Sequence, residues 1–259
     1  MERMPLEEIG RRADANYAEA YRQYAIQLDG ETYERGGLYA VSVGVPISMF
    51  NQAFVMRPLD DPKRLIAEAA RFFDERELPF VVRVREGVDP DAERACEELG
   101  LPYSDTAPGM VLEDLSREYR AVDGLDIRTA RDGASLQQHV DILIEAFGMP
   151  PAMARRLITE RMLDAPDVEL YVGYVDGAPV GTSALIASSR VAGVYNVATR
   201  ASHRGHGIGE AITAHAVKRG ASMGCLISSL QASQMGYPVY ERMGFQLLCP
   251  YRTFHRRTA

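Results

Sequence analysis

One stretch limits the fold more than any other: Arg204-Gly205-His206-Gly207-Ile208-Gly209. It stands between a strand-like run at 192–199 (AGVYNVAT) and a helix-like run at 210–219 (EAITAHAVKR). A chain with this order builds a strand–loop–helix unit whose loop opens the helix. Glycine lets the backbone take positive φ and approach a ligand closely. The first N–H groups of a helix lack internal partners, and the helix dipole is positive at that end. A diphosphate suits such a loop. The plain alternative is a flexible turn, but a turn requires neither the arginine nor the helix that follows.

Two familiar phosphate loops are excluded. No G-x-x-x-x-G-K-[ST] run occurs. The dinucleotide pattern G-x-G-x-x-G fails because Glu210 stands where its last glycine belongs. What fits is R-x-x-G-x-G, met by Arg204, Gly207 and Gly209. This resembles the acyl-CoA-binding motif of the GNAT superfamily of N-acetyltransferases. Downstream, Tyr240-Glu241-Arg242-Met243-Gly244-Phe245 resembles that family's Y-x-x-x-G-F segment. Alone, Tyr240 reads as a core tyrosine on an amphipathic helix; the two segments in order carry the resemblance.

At 259 residues the chain can hold one large domain or two small ones. Its net charge of −7 speaks against a nucleic-acid partner. A polyanionic ligand then needs a local basic cluster, which Arg200, His203, Arg204, His206, Lys218 and Arg219 could supply. Lys218 and Arg219 read equally well as a solvated helix end that complements the dipole. Cys96, Cys225 and Cys249 lie far apart without metal spacing, and the histidines form no metal motif. No apolar run reaches membrane-spanning length. The N-terminal MERMPLEEIGRR lacks the apolar core of a signal peptide. These features together lead us to expect a cytosolic protein with no metal and no membrane partner.

Periodicity and turn residues predict a helix over 6–27, a polar turn region over 29–37, and two strands within 38–56 around Gly44-Val45-Pro46. Pro62 suits the first position of a helix over 63–76. A strand at 80–85, a helix at 89–99 ended by Gly100 and a strand at 110–115 complete the first half. The second half predicts a strand at 125–128, a helix at 132–147 and another at 153–163. A hairpin follows, 169–175 and 179–188, joined at Asp176-Gly177. Then come strand 192–199, the glycine loop, helix 210–220, strand 225–231, the helix carrying Tyr240, and terminal strands. This order matches the GNAT acyl-CoA N-acyltransferase fold: an α/β (α+β) domain with a mixed, mostly antiparallel sheet flanked by helices.

The first half looks like a faded repeat of the last part of the second. Phe50-Asn51-Gln52-Ala53 can be set against Tyr195-Asn196-Val197-Ala198, and the segment ending at Gly100 against that ending at Gly244. Asn51 to Gly100 spans 49 positions and Asn196 to Gly244 spans 48. The loop at 57–63 (RPLDDPK) has no glycine and adds acid, and Cys96 stands where the tyrosine would be. The expectation is a degenerate GNAT-like domain at 1–120, unable to bind CoA, and a catalytic domain at 121–259. Chance similarity of two ordinary α/β stretches is the alternative. The first domain would close one side of the acceptor site or form a homodimer interface.

The resemblance implies that an amine attacks acetyl-CoA directly in a ternary complex. The strand Asn196, Val197, Ala198, Thr199 would splay from its neighbour and bond the pantetheine arm. The N–H of Val197 or Ala198 would face the thioester oxygen. Amides of Gly205, His206, Gly207, Ile208, Gly209 and Glu210, with Arg204, would bind the pyrophosphate. Tyr240 would protonate the departing thiolate. Ser233 stands near the family's pantetheine-binding asparagine and also reads as a helix cap. Glu145 is the candidate base, and Tyr195, Asn196 and Glu169 are candidates for acceptor contact. The expected acceptor is a small-molecule primary amine. The rivals are a CoA-binding sensor or scaffold without catalysis, and acyl transfer to a hydroxyl or peptidyl amine.

Overall fold

The computed structural model describes residues 4–255. In chain order the elements are α1 (Leu6–Gln27), β1 (Glu31–Arg35), β2 (Leu38–Ser42), β3 (Gln52–Val55), α2 (Pro62–Asp74), β4 (Val81–Arg85), α3 (Pro90–Glu98) and β5 (Tyr103–Leu112). There follow β6 (Leu125–Thr129), α4 (Gly133–Phe147), α5 (Pro151–Leu157), β7 (Val168–Val175), β8 (Ala178–Ser188), β9 (Val191–Thr199), α6 (Ile208–Ser222), β10 (Ile227–Gln231), α7 (Tyr237–Arg242) and β11 (Gln246–Phe254). Short side chains set several helix starts. Asp61, Asp89 and Asp132 each accept a backbone N–H of the first turn, satisfying donors the helix cannot.

The chain divides into two compact units. The first holds the described residues up to Met110, with Gln231–Ser233 and the residues from Leu247 onward. The second holds Val111–Leu230 and Gln234–Gln246. Most of β11 thus belongs with the first half, a grouping that a cut after residue 120 does not give.

In the first unit the strand order is β1-β2-β3-β4-β11-β5. Alternate residues of a strand face opposite sides. Ala53, Val55, Val82, Val84 and Phe254 join Ile66 and Phe73 of α2 and Ala95 and Cys96 of α3 in one apolar core. The other face meets α1, where the Tyr17 ring lies 5.3 Å from Phe54. Arg83 is buried on that face, and its Nε donates to Gln52 Oε1 at 3.1 Å. In the second unit the order is β10-β9-β8-β7-β6. Successive residues of β8 show its two faces: Thr182 bonds beside His139 of α4, whereas Ser183 Oγ donates to Ile212 O of α6 at 3.3 Å. His139 is fully buried, and burial pushes it down to about 4, so it is neutral at ordinary pH.

Several boundaries differ from expectation. β1 occupies a stretch read as a polar turn; its residues are mostly exposed, so they carry no apolar alternation. β5 starts at Tyr103 instead of residue 110, its first residues being exposed. The expected helix at 153–163 is two pieces, α5 and a 3₁₀ turn at Glu160–Met162. A single strand, β11, replaces the expected terminal strands. The paired order of the two halves is present: β1-β2-β3 and β7-β8-β9 are antiparallel, and β3–α2–β4 and β9–α6–β10 are parallel crossovers.

A buried carboxyl gives the first unit a pH dependence. Asp14 Oδ1 accepts from Tyr251 Oη at 2.7 Å, and Arg85 Nε lies 3.2 Å from Oδ2. Burial outweighs the Arg85 charge and pushes Asp14 up to about 6. In an unfolded chain such a carboxyl ionises near 4. Between those values the folded state holds the extra proton, so stability falls as pH rises from about 4 through 6 and then levels off. The expected loss is at most about 3 kcal/mol. Urea midpoints at pH 5 and pH 8 should show this drop in the wild type and a smaller one in Asp14→Asn; equal drops would refute it.

Candidate functional site

β9 builds the site. Its parallel pairing with β10 covers Val191, Ala192 and Gly193, opposite Ile227, Ser228 and Ser229. Beyond Gly193 the two strands part. On its other edge β9 pairs with β8 through a bulge: Thr182 faces Ala198 and Ala184 faces Tyr195. Asn196 and Val197 therefore stand opposite the single residue Ser183. Asn196 has φ of 54°, a conformation asparagine tolerates better than most side chains. Such a bulge bends the strand and re-aims its groups.

A 3₁₀ turn at Ala201–His203 leads from β9 to the glycine loop. Gly207 is the N-cap of α6, with φ of 80°, and no side chain caps this helix. The amides of Ile208, Gly209 and Glu210 therefore open at the positive end of the dipole without a side-chain cap, with the Glu210 carboxylate in the same first turn. A Cβ at Gly207 would strain the backbone and stand 3.3 Å from Val122 Cγ2. In the first unit the corresponding α2 differs, because Asp61 Oδ1 accepts from Arg64 N at 3.2 Å. That helix supplies its own anion.

A cavity of about 410 Å³ opens at the loop. Gly205, His206, Gly207 and Glu210 form one side, and residues 120–123 form the other. The loop residues themselves are exposed except Ile208, which is buried, and Gly209 and Glu210, which are half-buried. The expected basic cluster is not assembled around the cavity. Arg200 pairs with Glu145, Lys218 with Glu118 at 2.7 Å, and Arg219 with Glu169 at 2.7 Å. Arg204 turns back, its Nε donating to Thr199 O at 3.2 Å. Backbone dipoles, more than side-chain charge, dominate this loop.

Tyr240 lies in α7, buried at 9% exposure, with its ring edge-on to Phe245 at 5.9 Å. Burial pushes its hydroxyl up to about 12, while a hydrogen bond with Thr213 pulls the other way. Thr213 also donates to Gly209 O at 2.8 Å. It thereby joins Tyr240 to the glycine loop, a role that the sequence reading did not assign. The available signal was a hydroxyl four residues beyond Gly209, one turn along the same helix.

Other candidates are placed as follows. Glu145 accepts from Arg200 Nη1 and, at 3.4 Å, from Ala201 N; acting as a base would require that pair to open. Glu169 is held below the usual carboxylate range by Arg219 and by Tyr171 Oη, which donates at 2.8 Å, against the effect of burial. Tyr195 and Asn196 are half-buried at the bulge. Ser233 does not cap α7, because that helix starts at Tyr237 behind Gly236 with no side-chain cap. Among the described residues no group of three or more His, Cys, Asp or Glu is placed to hold a metal. No described helix is long and apolar enough to cross a membrane.

Comparison with known proteins agrees with this geometry. Residues 166–247 match the acetyltransferase (GNAT) domain family. No curated protein sequence matches the chain. The fold of nearly the whole chain is similar to a GCN5-related N-acetyltransferase from Kribbella flavida, with a TM-score of 0.72 at 19% identity over 95% of this chain and 96% of that one. A GCN5-related N-acetyltransferase from Sphaerobacter thermophilus gives 0.65 at 19% over 86% and 78%. A tandem GNAT protein from the clavulanic acid biosynthesis pathway gives 0.61 at 14% over 86% and 79%. Residues 166–247, in the C-terminal half, thus match the GNAT acetyltransferase domain, and the fold of nearly the whole chain is similar to that of GNAT proteins.

The position of α6 rests on one close approach. A Cβ added to Gly220 would lie 2.2 Å from Ala192 Cβ of β9. Gly220→Ala should therefore lift α6 from the sheet and cost about 1–3 kcal/mol. Urea denaturation of Gly220→Ala with and without Ala192→Gly checks this: the second change should recover part of the loss, and purely additive effects would refute the contact.

Proposed function

We propose that this protein transfers an acetyl group from acetyl-CoA to a primary amine of a small molecule. The observation that carries this reading is the early parting of β9 from β10, followed directly by an uncapped helix N-terminus. Peptide groups that leave a ladder need other partners. In our reading the pantetheine amides take that place along Asn196, Val197, Ala198 and Thr199. The pyrophosphate meets the amides from Gly205 to Glu210. Tyr195 and Asn196 line the acceptor side.

The amine nitrogen attacks the thioester carbonyl carbon. The N–H of Val197, at the bulge, stabilises the charge that develops on oxygen, with Ala198 as the neighbouring donor. The tetrahedral adduct then collapses, and the carbon–sulfur bond breaks. The thiolate takes its proton from Tyr240, and solvent later returns one to the phenolate. The amine loses its proton to solvent, while Glu145 holds Arg200 at the start of the loop. Holding both reactants together lowers the entropic barrier. The first unit is a degenerate copy of this domain: Asp61 occupies its helix N-terminus, and Cys96 is buried in the core.

Two variants separate binding from chemistry. Gly207→Asp should abolish calorimetric binding of acetyl-CoA, because it places a carboxylate in the loop; retained affinity would refute the loop as the pyrophosphate site. Tyr240→Phe should lower kcat about 10²-fold or more with the acetyl-CoA dissociation constant little changed. Thiol release with a panel of primary amines reads kcat, and an unchanged value would leave the tyrosine a packing role only.

A further inference from the structure

The segment before β6 runs past both signature motifs. Tyr119 Oη donates to Met243 O, the C-cap of α7, at 3.0 Å. Arg117 lies over Gly244, where a Cβ would stand 2.8 Å from its Nη1. Glu118 pairs with Lys218 of α6 at 2.7 Å. Val122 packs against Gly207. Four anchors, at residues 117, 118, 119 and 122, thus tie this strap to the end of the Tyr240 helix and to both ends of α6. Between them Arg120 projects into the loop cavity. Arg120 is exposed, and it forms no ion pair or hydrogen bond among the described residues.

We propose that Arg120 is a further cofactor-binding residue, which closes over the pyrophosphate from the side opposite the glycine loop. The inference rests on the acyl-CoA reading above. Its grounds are geometric and electrostatic. Arg120 shares one cavity with Gly205, His206 and Gly207. Beside His206, which lines the cavity, the arginines and the lysine expected to serve the loop are engaged: Arg200, Lys218 and Arg219 with carboxylates, and Arg204, through its Nε, with Thr199 O. Asp123 and Glu210 line the same cavity and oppose a polyanion, so the uncommitted guanidinium has a deficit to cover. A guanidinium can also hold a phosphate through two parallel N–H bonds. The anchors around it leave the backbone little freedom, so the contact needs only a side-chain rotation.

The test is calorimetric titration of CoA and of dephospho-CoA into the full chain, as wild type, Arg120→Ala and Arg120→Lys, at low and high salt. Thermal melts check that the variants fold. The expected result is about tenfold weaker CoA binding in Arg120→Ala, with partial recovery in Arg120→Lys. The salt dependence should be shallower in Arg120→Ala, since a screened charge pair has been lost. Dephospho-CoA keeps the pyrophosphate and should lose as much affinity as CoA. A loss seen with CoA alone would overturn the pyrophosphate assignment, and equal affinities in wild type and Arg120→Ala would overturn the inference while leaving the acyl-CoA reading intact. Failure of the wild type to bind either compound would overturn that reading itself.

Discussion

Everything at this site depends on a parallel strand pair that stops early. β9 and β10 share three paired residues, and then β9 turns away. Two features enforce the parting. The bulge at Asn196 and Val197 adds a residue against β8 and sharpens the local twist. The close seat of α6 on Ala192, through Gly220, fixes where the helix can lie after the loop. A sheet does not give up backbone hydrogen bonds without another partner. In the proposed reading, the parted strand suits a ligand with a row of amides, and the loop that follows suits one with an anion at its far end.

The two units share strand pairings and differ at this position. Both carry the same antiparallel, antiparallel, parallel sequence of strand pairings. In the first unit the parallel pair continues through Phe54 opposite Arg83, so β3 stays in its ladder. Asn51, set against Asn196 by sequence, instead staples a loop: its Nδ2 donates to Val45 O at 2.8 Å and to Pro79 O at 2.9 Å. Asp61 then fills the helix N-terminus with a carboxylate. One acidic cap in place of a glycine reverses the electrostatic preference of the position. The two units share these strand pairings and differ in what stands at the helix N-terminus.

How far this could be read from sequence follows from range. The glycine loop and the helix starts near Pro62, Asp89 and Asp132 were legible because capping and positive φ act within four residues. The hairpin at Asp176-Gly177 was legible for the same reason. β1 was not, because Glu31, Thr32, Glu34 and Arg35 are exposed and an exposed strand has no apolar alternation to display. The basic cluster near the loop was misjudged: sequence proximity says nothing of the acids, Glu118, Glu145 and Glu169, that arrive from distant elements to engage it. Thr213 and Arg120 were invisible for the complementary reason. Thr213 meets Tyr240, and Arg120 shares the loop cavity with Gly207, only once the chain is folded.

The environment of Tyr240 bears on whether it can act as proposed. A phenol near 10 and a thiol near 8.5 would make proton transfer modestly uphill in water. Burial moves Tyr240 to about 12, which taken alone widens the gap. The same desolvation acts on thiols, however. Cys96 and Cys249, both largely buried in this protein, are each pushed up to about 12. In the proposed reaction, burial of the CoA sulfur would raise its thiolate in the same direction, since burial penalises any anion, and would narrow that gap. Burial also keeps Tyr240 protonated throughout the ordinary pH range, as the proposed donor role requires. Thr213 completes the arrangement, since it steadies the hydroxyl from the same turn of α6 that carries the loop amides.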